Sequence, residues 1–180
     1  MLKFNTKELT AITLSASIWA IINSIVGPAF WNLTHLPILC DMLGVAALSL
    51  TIWWVRKPGA TLIVGLIATL ISFTLNPGGV QFLGFTGATI VFETITYVIG
   101  YKRVLENGYL GWGLLLFASI ASTAAAGVII ATFFMNPNLL ASAFGGVMVF
   151  SGIHGVGGAI GSVLGVLLIK AMEARNINPL

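Results

Sequence analysis

The chain has 180 residues, 58% of them hydrophobic and 7% charged, with a formal net charge of +3. A soluble domain carries about 25% charged residues, so this sequence has too little polar side-chain surface to coat a particle in water, and its composition belongs in a lipid bilayer. No separate soluble catalytic domain fits beside the apolar runs, and no basic stripe suited to nucleic acid is present. The fold expected is therefore all-α, a polytopic membrane protein forming one integral membrane domain over residues 1–180.

In chain order, AITLSASIWAIINSIVG predicts a first span over about 8–27, ended by Pro28. Lys3 and Lys7 precede it, as they would in a signal peptide. The run is long and no convincing A-x-A site follows, so the segment reads as a retained span. The stretch from LPILCDMLG to SLTIWWV predicts a second span over 36–55. Past the turn at Lys57-Pro58-Gly59 a third covers 58–75, stopped by Asn76-Pro77-Gly78-Gly79. Asn107-Gly108 divides a fourth span (83–101) from a fifth (109–135), Asn136-Pro137-Asn138 closes the fifth, and a sixth covers 140–172. The apolar runs are continuous rather than alternating, which argues against a β-barrel. Cys40 is the single cysteine, so no intrachain disulfide is possible.

The basic residues follow the spans. Lys3 and Lys7, Arg56 and Lys57, Lys102 and Arg103, and Lys170 and Arg175 account for all 8 Lys and Arg residues. With six spans every one of them falls on the same side, while the loops around 28–35, 76–82 and 136–139 carry none. By the positive-inside rule both termini are expected in the cytoplasm, in a multi-pass protein of the cell membrane. The same distribution accounts for the net positive charge without a nucleic-acid partner.

Three ionisable residues fall in or near the expected hydrocarbon zone: Asp41, Glu93 and His154. Placing such a group at a span centre costs about 2.5–3.5 kcal/mol, which favours a position facing the bundle interior. Thr86, Thr89, Glu93, Thr96 and Tyr97 recur at three- and four-residue spacing and form one polar stripe on a helix. Glu93 in VFETIT is expected to meet a ligand from that stripe; the alternative is a structural carboxylate bonded to a neighbouring threonine or backbone group. For Asp41 the alternatives are ligand contact, solvation at the interface, or pairing with His35. For His154, within SGIHGVGG, they are ligand contact or packing. The three make no metal-ligand motif, and no cofactor is implied.

The lysine-free loops add Trp31, Asn32, Asn76, Gln81 and Phe82 as candidates for a binding site. Trp31 and Phe82 equally suit an interfacial aromatic belt, and Asn32-Leu33-Thr34 is a glycosylation sequon. Small residues line one face of the first span (Ala16, Ala20, Ser24) and of the sixth (Gly157, Gly161, Gly165), letting helices approach closely inside the monomer or against a partner. No nucleophile elbow, P-loop, HExxH or CxxC is present, so neither an enzyme nor a self-powered pump is expected.

Six short spans, a small-residue face on the first and a polar pocket at the lysine-free end resemble the substrate-binding S components of energy-coupling-factor (ECF) vitamin transporters. The likeness is greatest to the hydroxymethylpyrimidine/thiamine type. The stretches that carry it are RKPGATLIVGLIATL (56–70) and LGFTGATIVFETITYVIGYKR (83–103). The resemblance implies a vitamin or precursor bound near the outer face. It also implies docking on a transmembrane T component through Ala16 and Ala20, and a cycle driven by two cytoplasmic ATPases. Ile12 stands one turn before Ala16, so the small face is shorter than the family pattern. An aminopyrimidine would use a carboxylate, amides and a stacking ring, which Glu93, Asn32, Asn76, Gln81, His154 and Trp31 supply by type. Two other classes compete. One is an accessory subunit packed in a larger membrane complex. The other is a proton-coupled small-molecule carrier using Asp41, Glu93 and His154.

Overall fold

The computed structural model describes residues 3–179. Eight α-helices make up the fold, with no strand among the described residues: α1 (Thr6–Thr34), α2 (Ile38–Val55), α3 (Ala60–Leu75), α4 (Phe82–Ile99), α5 (Tyr101–Glu106), α6 (Gly108–Phe133), α7 (Pro137–Phe144) and α8 (Val147–Glu173). Five of them, α1, α2, α4, α6 and α8, are long and apolar enough to cross a membrane, and α3 is a shorter apolar helix. The protein is an all-helical, multi-pass membrane protein. At 16 residues, α3 has a length of about 24 Å.

Local chemistry sets the helix ends, and it corrects the sequence expectation in two places. Asn5 opens α1 with a reciprocal capping box: its side chain accepts from the Glu8 amide at 2.9 Å, and Glu8 accepts from the Asn5 amide at 2.9 Å. Pro28 does not end this helix, which runs on to Thr34. A residue before proline normally leaves the α region because its Cβ crowds the proline ring, and Gly27 has no Cβ to crowd it. The expected sixth span is two helices. Gly145 and Gly146 take φ of 73° and 105°, a conformation open to glycine, and their amides bond back to Ala141 and Leu140 to close α7.

The long helices form a closed ring. α1 packs on α2 and α3, α3 on α4, α4 on α6, α6 on α8, and α8 returns to α2. Small residues make the close approaches. A Cβ on Gly161 would lie 2.7 Å from the Met42 carbonyl oxygen, and one on Gly165 would lie 2.7 Å from Ser49 Cβ. The glycine stripe of α8 is thus spent on α2, inside the monomer.

The small face of α1 is also internal, which corrects its reading as a docking surface. Ala16 and Ala20 are fully buried at 0% exposure, in one core with Ile12, Leu48 and Val64. They cannot receive a partner. Ser24 is half-buried with its hydroxyl enclosed and unbonded. Ala16→Leu should therefore destabilise the isolated protein by about 1–3 kcal/mol through overpacking. A thermal melt of the purified chain checks this; an unchanged melt would return Ala16 to the surface.

The basic segments gather at one end of the ring. Lys57 Nζ contacts Glu8 at 2.8 Å and the Lys3 carbonyl at 3.2 Å. Arg56 pairs with Glu106, Trp53 donates to Glu173 at 3.1 Å, and Lys170 sits over Trp112. The connections at 35–37, 76–81 and 134–136 lie at the opposite end.

Candidate functional site

At that opposite end the ring encloses a cavity of about 420 Å³. Its walls come from α1, α2, α4, α6 and α8, and its mouth from the connecting segments. Among the described residues it is lined by no Lys, Arg or Glu.

Helical spacing builds each wall. Trp19, Asn23 and Gly27 follow one another at four-residue intervals along α1, and all three line the cavity. The Trp19 ring stacks on Phe85 of α4, with centroids 3.7 Å apart and planes 11° from parallel. The Trp19 indole donates to the Cys40 carbonyl at 3.2 Å, which fixes its rotation. Gly44 makes this possible, since a Cβ there would lie 2.8 Å from the Phe85 ring and 3.0 Å from Trp19 Nε1. Gly27 likewise leaves room for the buried Asn23 side chain, whose Oδ1 would be 2.8 Å from an added Cβ. On α6, Ser122 and Thr123 each donate to the Ser119 carbonyl at 2.9 Å. Their donors are spent, but lone pairs remain as acceptors.

Deep in the cavity wall, Asp41 of α2 faces His154 of α8, with Nδ1 and Oδ2 2.8 Å apart and side chains 3% and 7% exposed for His154 and Asp41 respectively. The two groups meet in distance without the alignment of a hydrogen bond: Asp41 Oδ2 and His154 Nδ1, like His154 Nε2, are buried without a hydrogen-bond partner. The edge of Phe150 packs on the imidazole, at 4.8 Å between centroids. Gly157 admits the carboxylate, since a Cβ there would lie 2.7 Å from Asp41 Cβ. Asp41 is therefore neither solvated at an interface nor paired with His35. His35 closes α1 at φ 55° and lies edge-on to Trp31 at 6.1 Å.

The structure brings together seven of the residues singled out in the sequence: Trp31, Asn32, Asn76 and Gln81 around the mouth, with Phe82, Asp41 and His154 also in the lining. Three others lie elsewhere, and their expected place in the pocket is corrected here. Glu93 points at the start of α3. It accepts hydrogen bonds from the Gly59 amide at 3.0 Å and the Thr61 amide at 3.1 Å, and also from the Thr61 hydroxyl and the Tyr101 phenol. Helix α3 starts at Gly59-Ala60 with no capping side chain of its own, so a carboxylate from α4 satisfies its orphan amides and meets the positive end of its dipole. Burial first, and then the adjoining Glu93 carboxylate, hold the Tyr101 phenol well above its usual range, so it remains a donor. Thr89 is fully buried against Gly65, where a Cβ would lie 2.2 Å from its hydroxyl. Thr86 bonds Thr69 at 2.7 Å. Tyr97 is 58% exposed on the outside. The polar stripe of α4 is a seam with α3.

Trp19, Asn23, Phe85, Ser122 and Thr123 are cavity residues that the sequence reading passed over. A signal existed for two of them: Asn23 is a lone amide in an apolar run, one turn from a tryptophan on the same face.

Chemically, the cavity offers a stacked aromatic wall, four amide side chains, and one carboxylate–imidazole contact with a free ring nitrogen. Among the described residues no three His, Cys, Asp or Glu side chains converge to hold a metal. Comparison of the chain with family models, with curated proteins and with solved structures finds no match.

Proposed function

We propose that the chain is the substrate-binding S component of an ECF-type importer, without catalysis of its own. It captures a flat, polar vitamin or precursor of the thiamine or hydroxymethylpyrimidine kind. The observation that carries this reading is the cavity of about 420 Å³ whose lining holds the stacked Trp19 and Phe85 rings together with Asp41 and His154. Sites for small ligands have volumes of about 300–1,000 Å³ and combine apolar walls with a few placed polar groups. On this reading α1, α2, α3, α4, α6 and α8 are six spans of the cell membrane. The positive-inside rule then puts both termini and all basic segments in the cytoplasm and the mouth of the cavity outside. A transmembrane T component and two cytoplasmic ATPases complete the importer, and docking uses a surface other than Ala16 and Ala20.

The test is to purify the chain in detergent and identify by mass spectrometry any small molecule that comes with it. Titration with thiamine, hydroxymethylpyrimidine and riboflavin follows. Wild type should bind at least one, and Asn23→Ala should weaken that binding by roughly tenfold, the worth of one or two buried hydrogen bonds. A chain that retains no small molecule, binds none of the three and copurifies only with an unrelated complex is an accessory subunit instead. The buried Asp41–His154 contact also suits a proton-coupled carrier. Uptake by vesicles holding this chain alone, driven by a pH gradient, would favour that reading over the importer.

A further inference from the structure

Far from the cavity, near the basic end of the ring, a groove of about 320 Å³ runs between α6 and α8. Its walls are Leu116, Val163 and Leu167, all exposed on the outside of the bundle. Its floor is low because Gly113 and Ser162 are small, and a Cβ built on Gly113 meets nothing within 4 Å. At the head of the groove Lys170 holds its ammonium 3.9 Å from the centroid of the Trp112 ring.

The ring face attracts the cation from one side, but an ammonium has three N–H donors. Among the described residues no carboxylate pairs with Lys170, while Glu8 and Glu106 are taken by Lys57 and Arg56. Glu173, one turn further on, accepts from Trp53. Lys170 is thus a positioned cation with unused donors, standing over an apolar trough that faces lipid. Lys170 is the one charged side chain that lines the groove, and it is exposed.

We infer that this groove is a binding site for an anionic phospholipid, with an acyl chain along Gly113 and Ser162 and the phosphodiester on Lys170. A zwitterionic lipid brings its own ammonium beside the phosphate and partly cancels the attraction. Selectivity for a net negative headgroup is therefore the distinguishing property. Basic pockets between membrane helices recognise lipid headgroups in this way. The site is independent of what the cavity binds.

The probes are phosphatidylglycerol and phosphatidylcholine with identical acyl chains, added to the delipidated full-length chain in detergent. Retained lipid is counted by native mass spectrometry and thermal melting is followed in parallel. Wild type should retain phosphatidylglycerol over phosphatidylcholine by roughly fivefold, the worth of one interfacial cation, and should melt higher with it. Lys170→Gln should bring the two lipids to parity. Gly113→Leu fills open space, so its lipid-free melt should match wild type while retention of both lipids falls. Equal retention of the two lipids by wild type overturns the inference, as does a preference that survives both substitutions. Competition by inorganic phosphate as effective as that by the lipid would also overturn it, reducing the site to a simple anion contact without the groove.

Discussion

Glu93→Gln should lower the stability of the ligand-free protein by about 3 kcal/mol and leave cavity binding unchanged. The carboxylate accepts from two backbone amides, one hydroxyl and one phenol, all of them donors. An amide side chain keeps one acceptor oxygen and turns an N–H group toward groups that can only donate or already do so. Charge-assisted bonds contribute about 1.5–3 kcal/mol each, and they are not additive, so the expected loss is about that of one strong bond plus the mismatch. For a chain of this size each kcal/mol moves the melting midpoint by about 2–4 °C. Tyr101→Phe removes one of the four bonds and should cost about 1 kcal/mol. Melting curves of the two variants beside wild type, with titration of whichever ligand copurifies, settle the matter. A normal melt with weakened binding would move Glu93 back into the site.

The second large effect belongs to Asp41 and His154. Each side chain has the other as its only polar contact among the described residues, and both are almost fully enclosed. Removing one partner of a buried pair leaves the other uncompensated, at a cost of about 3–5 kcal/mol. Asp41→Ala and His154→Ala should each destabilise by that amount and abolish capture of any ligand that reaches the pair. The double variant should lose clearly less than the sum, because no stranded group remains. A double-mutant cycle read by chemical unfolding in detergent measures the coupling. Additive losses would show that the two groups stand side by side without interacting.

Glu93 and the Asp41–His154 pair show what could be read from the residues alone and what could not. Five helices long and apolar enough to cross a membrane, and the gathering of Lys and Arg at one end, were legible, because hydropathy and charge are summed over many residues. Breakers were legible as boundaries only where no neighbour relieved them. Asn136-Pro137-Asn138 follows the end of α6 at Phe133, as expected of a breaker, and also caps α7, whereas Gly27 lets Pro28 stay inside a helix. The polar stripe of α4 was legible as a face, but spacing does not say which helix a face meets. Gly65 decides that, since it lets α3 come close enough to take Thr89 and hands Glu93 to the start of α3. Small residues were similarly ambiguous. Ala16, Ala20 and the glycines of α8 announce close approach without naming the neighbour, and here each neighbour lies within the chain. The cavity was half legible, through Asp41, His154 and the loop amides. Its aromatic wall was not, because Trp19 and Phe85 meet only once α1 and α4 are placed in the ring.

The order of helices around that ring also bears on how the protein is made. Helix α8 stands between α2 and α6, yet it is synthesised after both. Chains emerge at about 5–20 residues per second, so Asp41 enters the bilayer with α2 well before α8 can supply His154. In that interval the carboxylate has no imidazole to face, and the gap that the glycine stripe will fill is open to lipid along its whole length. A nascent chain halted before Val147 holds a cleft in place of a cavity. The enclosed cavity, to whose wall α8 contributes Phe150 and His154, is therefore completed late in translation and abruptly, with the insertion of one helix.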